Sequence, residues 1–227
     1  LMNLWAKHQG IPVMQPNFLK VPINKEGKYS EDEIGEISKS VDEFITSYQA
    51  LDADVAIVAS YGKIIPEQIL NIPINGTLNV HPSLLPLYRG PSPIQCAMLA
   101  GDTSTGVTIM LLDAQMDHGP ILISHVLPIH EKANAQSLEI EAGQLGGELL
   151  VQTLEHYVNG NLVPKAQDDN AATYTKYILK DQGEIHDIFS PDTNSKFIIS
   201  NNKKKEIAAK WKALYGWPGI YFNYNHS

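Results

Sequence analysis

Five consecutive apolar residues, Val55-Ala-Ile-Val-Ala, lie between Asp54 and Ser60. No other stretch constrains the fold as much. The run has the length of a strand and no polar alternation, the pattern of a strand buried on both faces in a parallel sheet covered by helices. Upstream, Ile34, Ile37, Val41, Phe44, Ile45 and Tyr48 recur at helical spacing, so residues 32–50 form an amphipathic helix. Downstream the alternation continues. Pro66 to Leu70 reads as a short helix, Thr77 to His81 as a strand, Pro93 to Ala100 as a helix and Gly106 to Leu112 as a strand. An extended segment, Ile121 to Ile129, precedes a long helix from about Ala135 to Tyr157 that carries Leu138, Ala142, Leu145, Leu149 and Leu154. The class is α/β, with a largely parallel sheet and flanking helices.

Leu1 to Gln9 reads as the last turns of a helix, with Leu1, Leu4, Trp5 and His8 on one face and Gly10 at the stop. Ile11 to Met14 reads as a short strand, and a loop runs on to about Ser30. A chain that opens in mid-element leads us to expect a further βαβ segment before Leu1 in the natural protein. From Asn159 to about Lys205 the composition turns polar, with Asp168-Asp-Asn, Ser190-Pro-Asp and Asn201-Asn-Lys-Lys-Lys and no periodicity. The expected organisation is a catalytic domain over 1–165, incomplete at its start, a linker over 166–205, and the beginning of a second domain over 206–227.

With 227 residues, 43% of them hydrophobic, the chain can bury one sizeable core. A net charge of −8 disfavours a broad nucleic-acid-binding face, so any such contact must be local. The one basic run, Lys203-Lys204-Lys205, reads as a solvated loop. Cys96 is the sole cysteine, which excludes an internal disulfide or a cysteine metal cluster. No apolar run approaches membrane-spanning length, and residues 1–20 lack the order of a signal peptide; we expect a soluble, cytoplasmic protein with no membrane partner.

In Thr77-Leu-Asn-Val-His-Pro, alternation places Asn79 and His81 on one face of the strand and Leu78 and Val80 on the other. In open α/β sheets, ligands sit beyond the carboxyl ends of strands, where this Asn and His fall. The segment that follows, Ser83-Leu-Leu-Pro-Leu-Tyr-Arg-Gly-Pro-Ser-Pro-Ile-Gln, resembles the SLLP signature of folate-dependent formyltransferases. Across Leu78 to Asp117 the resemblance is to the methionyl-tRNA formyltransferase family, through Pro93-Ile-Gln, Gly101-Asp and Thr105-Gly-Val-Thr-Ile-Met. Met116-Asp117-His118-Gly119 matches the loop of the family's catalytic Asp, 36 positions after His81 (117 − 81). Similarity extends over about Leu1 to Ile178 and returns at Trp211-Lys-Ala-Leu-Tyr-Gly-Trp-Pro-Gly-Ile-Tyr-Phe, which resembles the entry to the family's small C-terminal β-barrel.

The resemblance implies a Rossmann-like formyltransferase fold and transfer of a formyl group from 10-formyltetrahydrofolate to the amine of initiator methionyl-tRNA. Asn79, His81 and Asp117 would be the reacting residues, and no metal is needed. The chemistry suits them. The tetrahedral intermediate carries an oxyanion, for which the Asn79 amide and the His81 ring are donors, and an ammonium whose proton Asp117 can accept directly or through water. The resemblance also implies that Lys63, Ile64 and Ile65 bind the folate, with Ser83, Leu84, Leu85, Pro86, Leu112 and Asp113 opposite. It further implies a monomer. The other histidines, His118, His125 and His130 among them, read as ordinary surface or strand residues. Rival expectations are a formyltransferase acting on glycinamide ribonucleotide or an amino-sugar nucleotide, a hydrolase releasing formate, and a folate-binding module without turnover.

Overall fold

The structure, a computed structural model, describes residues 2–23, 27–186 and 199–222. The chain divides into two compact units, Leu1–Ala56 with Lys63–Gly76, and Ile57–Gly62 with Thr77–Ser227.

In the first unit, α1 (Met2–His8) ends at Gly10, whose φ of +70° is the left-handed conformation of a helix stop. The Ile11 N–H reaches back to the Ala6 carbonyl at 2.9 Å. The expected strand at Ile11 to Met14 does not form, and both of those side chains are exposed. Pro12 offers no ladder donor, and four residues are too few for an apolar pattern to separate strand from extended loop. α2 (Glu31–Gln49) opens with a reciprocal cap: Ser30 Oγ accepts from the Glu33 N–H at 3.2 Å, and the Glu33 carboxylate accepts from the Ser30 N–H at 2.7 Å. Leu19, Val41 and, on α3 (Glu67–Leu70), Ile69 and Leu70 are buried.

A four-stranded sheet organises the second unit, in the order β1 (Ala56–Val58), β2 (Thr77–His81), β3 (Ser104–Leu111), β4 (Ile121–Pro128). The α/β layering is as expected, but the ladder direction corrects the largely parallel sheet. β2 and β3 are antiparallel, with Leu78 opposite Leu111 and His81 opposite Thr108, and β3 and β4 are antiparallel as well. An apolar run reports burial, and an antiparallel strand covered on both faces reads the same. β1 departs from expectation too, since Ile57 in the middle of the run is 41% exposed.

α4 (Pro93–Ala100) begins with Pro93 in its first turn and stops at Gly101, φ +78°, as its sequence predicts. α5 (Ala135–Val158) is capped by Asn134, whose Oδ1 accepts from the Ser137 N–H at 2.9 Å, and it packs on β2, β3 and β4. Leu78, Val107, Ile109, Met110 and Leu138 are fully buried between these elements. The basic run is not a loop: Lys203, Lys204 and Lys205 lie in α6 (Asn201–Ala213), which packs on α4. There Ser200 Oγ caps the Lys203 N–H, and three such residues carry too little periodicity to announce a helix. Ser190-Pro-Asp lies outside the described residues. Beyond α6, the described β structure amounts to a bridge between Glu184 and Tyr221.

Candidate active site

β2 delivers the first two polar residues. Leu78 locks into the core at zero exposure, and alternation turns Asn79 and His81, 9% and 4% exposed, to the opposite face. Val80, between them, opens instead into a groove of about 740 Å³ shared with Ile57, Ile94, Ala142 and Gly143. Asn79 and His81 are not among that groove's walls, so the polar pair belongs to the other side of the sheet. His81 Nε2 lies 3.0 Å from the Tyr88 carbonyl, which can only accept, so this nitrogen carries a proton. The other ring nitrogen, Nδ1, faces Asp117 Oδ1 at 3.7 Å, within ion-pair range and beyond a direct hydrogen bond. The Asn79 amide has no hydrogen-bond partner among the described residues.

Asp117 arrives by a route the parallel reading did not foresee. It does not stand at the carboxyl end of a parallel neighbour of β2. β3 runs the other way and ends beside the start of β2, where the Leu112 N–H donates to the Thr77 carbonyl at 2.8 Å. The loop after β3 must fold back to bring Asp117 to His81. It does so with Asp117 at φ +50°, a left-handed conformation that Asp tolerates better than most residues. The Asp117 carboxylate is 14% exposed, and its Oδ2 accepts from the Gly90 N–H at 2.7 Å. Only glycine fits there: φ is +112°, and a Cβ would stand 2.8 Å from both Thr175 O and Thr175 Oγ1.

The segment expected to be the start of a linker proves to be part of the wall. Thr173, Tyr174 and Thr175 run beside Pro86 to Gly90: the Arg89 N–H donates to the Thr173 carbonyl at 2.9 Å, and the Thr175 N–H to the Arg89 carbonyl at 2.7 Å. Arg89 is 1% exposed, and its guanidinium donates to Gln167 Oε1, Asp169 Oδ1 and Tyr174 Oη. Gln167 in turn donates to the Asp117 and Gly119 carbonyls, at 2.9 and 2.7 Å. Polar residues without periodicity look like a solvated spacer in a sequence. Here they satisfy buried donors and acceptors of the site loop, which periodicity cannot register.

His118 corrects the reading of an ordinary surface histidine. Its Nδ1 stands 2.6 Å from Asp113 Oδ2 and its Nε2 3.4 Å from Asp169 Oδ2, and the hydrogen bond to Asp113 outweighs desolvation to raise its pKa above the usual histidine value. Tyr88 is held by Asp102 Oδ2 at 2.6 Å; burial, with that bond, pushes its hydroxyl up to about 12, so it stays a donor.

The residues proposed to bind folate divide. Ser83 is wholly buried, its Oγ donating to the Leu87 carbonyl at 2.6 Å and its carbonyl accepting from Thr108 Oγ1 at 2.7 Å. Leu85 is 7% exposed. Both side chains help to build the turn after β2. Leu84, Pro86 and Leu112 are half-buried. Asp113 already holds His118 and the Gln115 N–H. In the first unit, Ile64 is 79% exposed, Ile65 half-buried, and Lys63 Nζ donates to the Asn17 carbonyl at 3.4 Å. Among the described residues no group of three His, Cys, Asp or Glu is placed to hold a metal ion.

Residues 19–154 match the formyl transferase family. The chain is 39% identical over 220 residues to a methionyl-tRNA formyltransferase of Chloroflexus aurantiacus, covering 97% of this chain and 60% of that protein. It is 47% identical over 180 residues to one of Roseiflexus castenholzii, covering 79% of this chain and 51% of that protein. The chain thus spans half to three fifths of the length of such curated relatives. Among solved structures, its fold is similar to a sugar N-formyltransferase from a Shewanella species, TM-score 0.63 at 19% identity, covering 88% of this chain and 78% of that one. It is also similar to HypX from Aquifex aeolicus in complex with tetrahydrofolic acid, TM-score 0.65 at 20% identity, covering 80% of this chain and 29% of that one.

Proposed function

The chain belongs to the formyl transferase family, and on that premise we propose that it transfers a formyl group from 10-formyltetrahydrofolate to the amine of initiator methionyl-tRNA. The observation that carries this reading is the return of Asp117, 36 positions after His81 in sequence (117 − 81), to within 3.7 Å of the His81 ring, on the strand face that His81 shares with Asn79. Identities of 35–47% to relatives named for that activity support the acceptor.

In the proposed reaction the amine nitrogen bonds to the formyl carbon, and the carbonyl π electrons move to oxygen. The Asn79 NH₂, with no partner among the described residues, donates to that oxyanion. In this scheme Asp117 takes the ammonium proton on Oδ1, its Oδ2 accepting from the Gly90 N–H. The His81 Nδ1 edge faces the same oxygen, while its Nε2–H fixes the ring on the Tyr88 carbonyl. Collapse of the oxyanion breaks the bond to the folate N10, which leaves with the proton that Asp117 took from the ammonium. No metal enters this scheme. As folate-binding residues we propose, in the second unit, Ser83, Leu84, Leu85, Pro86, Leu112 and Asp113, and, in the first unit, Lys63, Ile64 and Ile65. A monomeric state and a cytoplasmic location complete the reading; no described helix is long and apolar enough to cross a membrane.

The test is Asp117→Asn in the whole protein. The amide can keep the Gly90 contact through its oxygen but offers no proton acceptor, so turnover should fall by about 100-fold or more with folding intact. Near-normal turnover removes Asp117 from the reaction. Offering methionyl-tRNA, glycinamide ribonucleotide and an amino-sugar nucleotide side by side, with formate release measured in a blank without acceptor, tests the acceptor; transfer to a small amine alone would overturn the tRNA assignment.

A further inference from the structure

The carboxylate proposed to react sits on main chain whose carbonyls, at Asp117 and Gly119, find their donor outside their own loop. Asp117 has a positive φ of +50°, and Gly119 lies so close to the Leu111 carbonyl that a Cβ would not fit. Conformations of this kind persist where the surroundings over-determine them. Here the loop is held from outside by the Gly90 N–H on the carboxylate, by Asp169 on His118 and, at its main chain, by the Gln167 side chain fifty positions away in sequence.

We propose that Gln167 is a positioning residue for formyl transfer: its amide fixes the main chain that presents Asp117, and Arg89 fixes the amide. The proposal rests on the reading of Asp117 as the reacting carboxylate. Nε2 of Gln167 spends both hydrogens on the loop, one on the Asp117 carbonyl at 2.9 Å and one on the Gly119 carbonyl at 2.7 Å. Oε1 accepts from Arg89 Nε at 3.1 Å and from Nη2 at 2.9 Å. The amide orientation is forced, since two carbonyls can only accept and a guanidinium can only donate. A carboxylate lacks the hydrogens, an ammonium lacks the acceptor, and Asn is one methylene short.

Arg89 is a rigid anchor. It is 1% exposed, and it also donates through Nη2 to Asp169 Oδ1 at 2.8 Å and through Nη1 to Tyr174 Oη at 3.1 Å. Its own main chain pairs with Thr173 and Thr175, and the next N–H, that of Gly90, holds Asp117 Oδ2. The Asp117 loop is therefore clamped to Arg89-Gly90 twice, directly through its carboxylate and through Gln167 at its carbonyls. With both clamps in place Oδ1 points at His81 Nδ1. Without the amide, two carbonyls lose their donor and the turn that presents the carboxylate keeps the Gly90 bond and the His118 contacts alone. A misplacement of about 1 Å in a reacting group can cost on the order of 100-fold in rate.

The experiment compares Gln167→Glu and Gln167→Met with wild type and Asp117→Asn in the whole protein, using 10-formyltetrahydrofolate and methionyl-tRNA. Gln167→Glu keeps the length and gains an ion pair with Arg89, so it folds, but it cannot donate to either carbonyl. We expect both Gln167 variants to lose roughly 10- to 100-fold in kcat, with KM for both substrates within about threefold of wild type and melting temperature nearly unchanged for the Glu variant. Wild-type kcat in either variant, a loss expressed only in KM, or a Glu variant that fails to fold would each overturn the proposal. The Asp117→Asn control separates the two readings: full turnover in that control sinks the assignment of Asp117, whereas an inactive control beside fully active Gln167 variants sinks the positioning role alone.

Discussion

Three glycines in one helix provide a sharp test of how β2, and with it the candidate site, is held. Gly143, Gly146 and Gly147 all lie inside α5. A Cβ on Gly143 or Gly147 would meet nothing within 4 Å. A Cβ on Gly146 would stand 2.5 Å from Val80 Cγ1 and 3.4 Å from Val107 Cγ1. Replacing an interior helical glycine by alanine gains about 1 kcal/mol through propensity alone. Gly147→Ala should show that gain, a rise in melting temperature of roughly 2–4 °C for a chain of this size. At Gly146 the same gain is set against overpacking. Carbons in contact prefer about 3.5–4.0 Å, so the Val80 side chain or the helix must give by about 1 Å, and Val80 is stiff at χ1. Overpacking of this order costs about 1–3 kcal/mol, leaving Gly146→Ala between neutral and about 2 kcal/mol destabilised. Differential scanning calorimetry with denaturant titration resolves the gap between the two variants. Because Val80 sits between Asn79 and His81, turnover should drop in Gly146→Ala and recover when Val80→Ala is added. If Gly146→Ala raises the melting temperature as far as Gly147→Ala does, α5 does not bear directly on β2 and this account of how the strand is fixed is wrong.

Asn79→Ala should leave folding intact and lower kcat by about 100- to 1,000-fold, the effect of removing one oxyanion donor; a single-turnover rate within tenfold of wild type would show that the amide does not face the developing charge. The His118 pair predicts a pH dependence. Its folded pKa is raised by the hydrogen bond to Asp113, so the associated stability is fully present below its ordinary value near 6.5 and is lost as pH rises through the raised folded value. Asp113→Asn should therefore lower stability by under about 1 kcal/mol, a partly exposed pair being screened, and do so mainly at pH 5–6; urea titrations giving the same penalty at pH 6 and pH 9 would count against the ion pair.

What could be read from the sequence follows from what periodicity and local motifs encode. α2, α4 and α5 were legible within about a residue at each end from their apolar residues; the caps seen in the structure, Ser30 with Glu33, Gly101 and Asn134, fall at those ends. β2 was legible for the complementary reason, and alternation along it placed Asn79 and His81 on a common face. Strand direction was not legible. The residues that decide it lie in the turns between strands, and the buried run of β3 looks the same in either direction. The three residues proposed to react could be named because the stretch from Leu78 to Asp117 resembles the formyltransferase signature; a strand end with an Asn and a His would not have sufficed. The residues that support them could not. Arg89 sits in plain view within the Tyr-Arg-Gly of the signature, where an arginine among turn formers is the single available hint of a buried anchor. Gln167 has no local signal at all: its meaning lies in two carbonyls of another loop and a guanidinium 78 positions earlier. A polar segment whose partners are distant in sequence is indistinguishable from a linker until the chain is folded. The arrangement inverts the ordinary weighting of such segments, for the stretch that looked least informative supplies the amide on which the Asp117 loop rests.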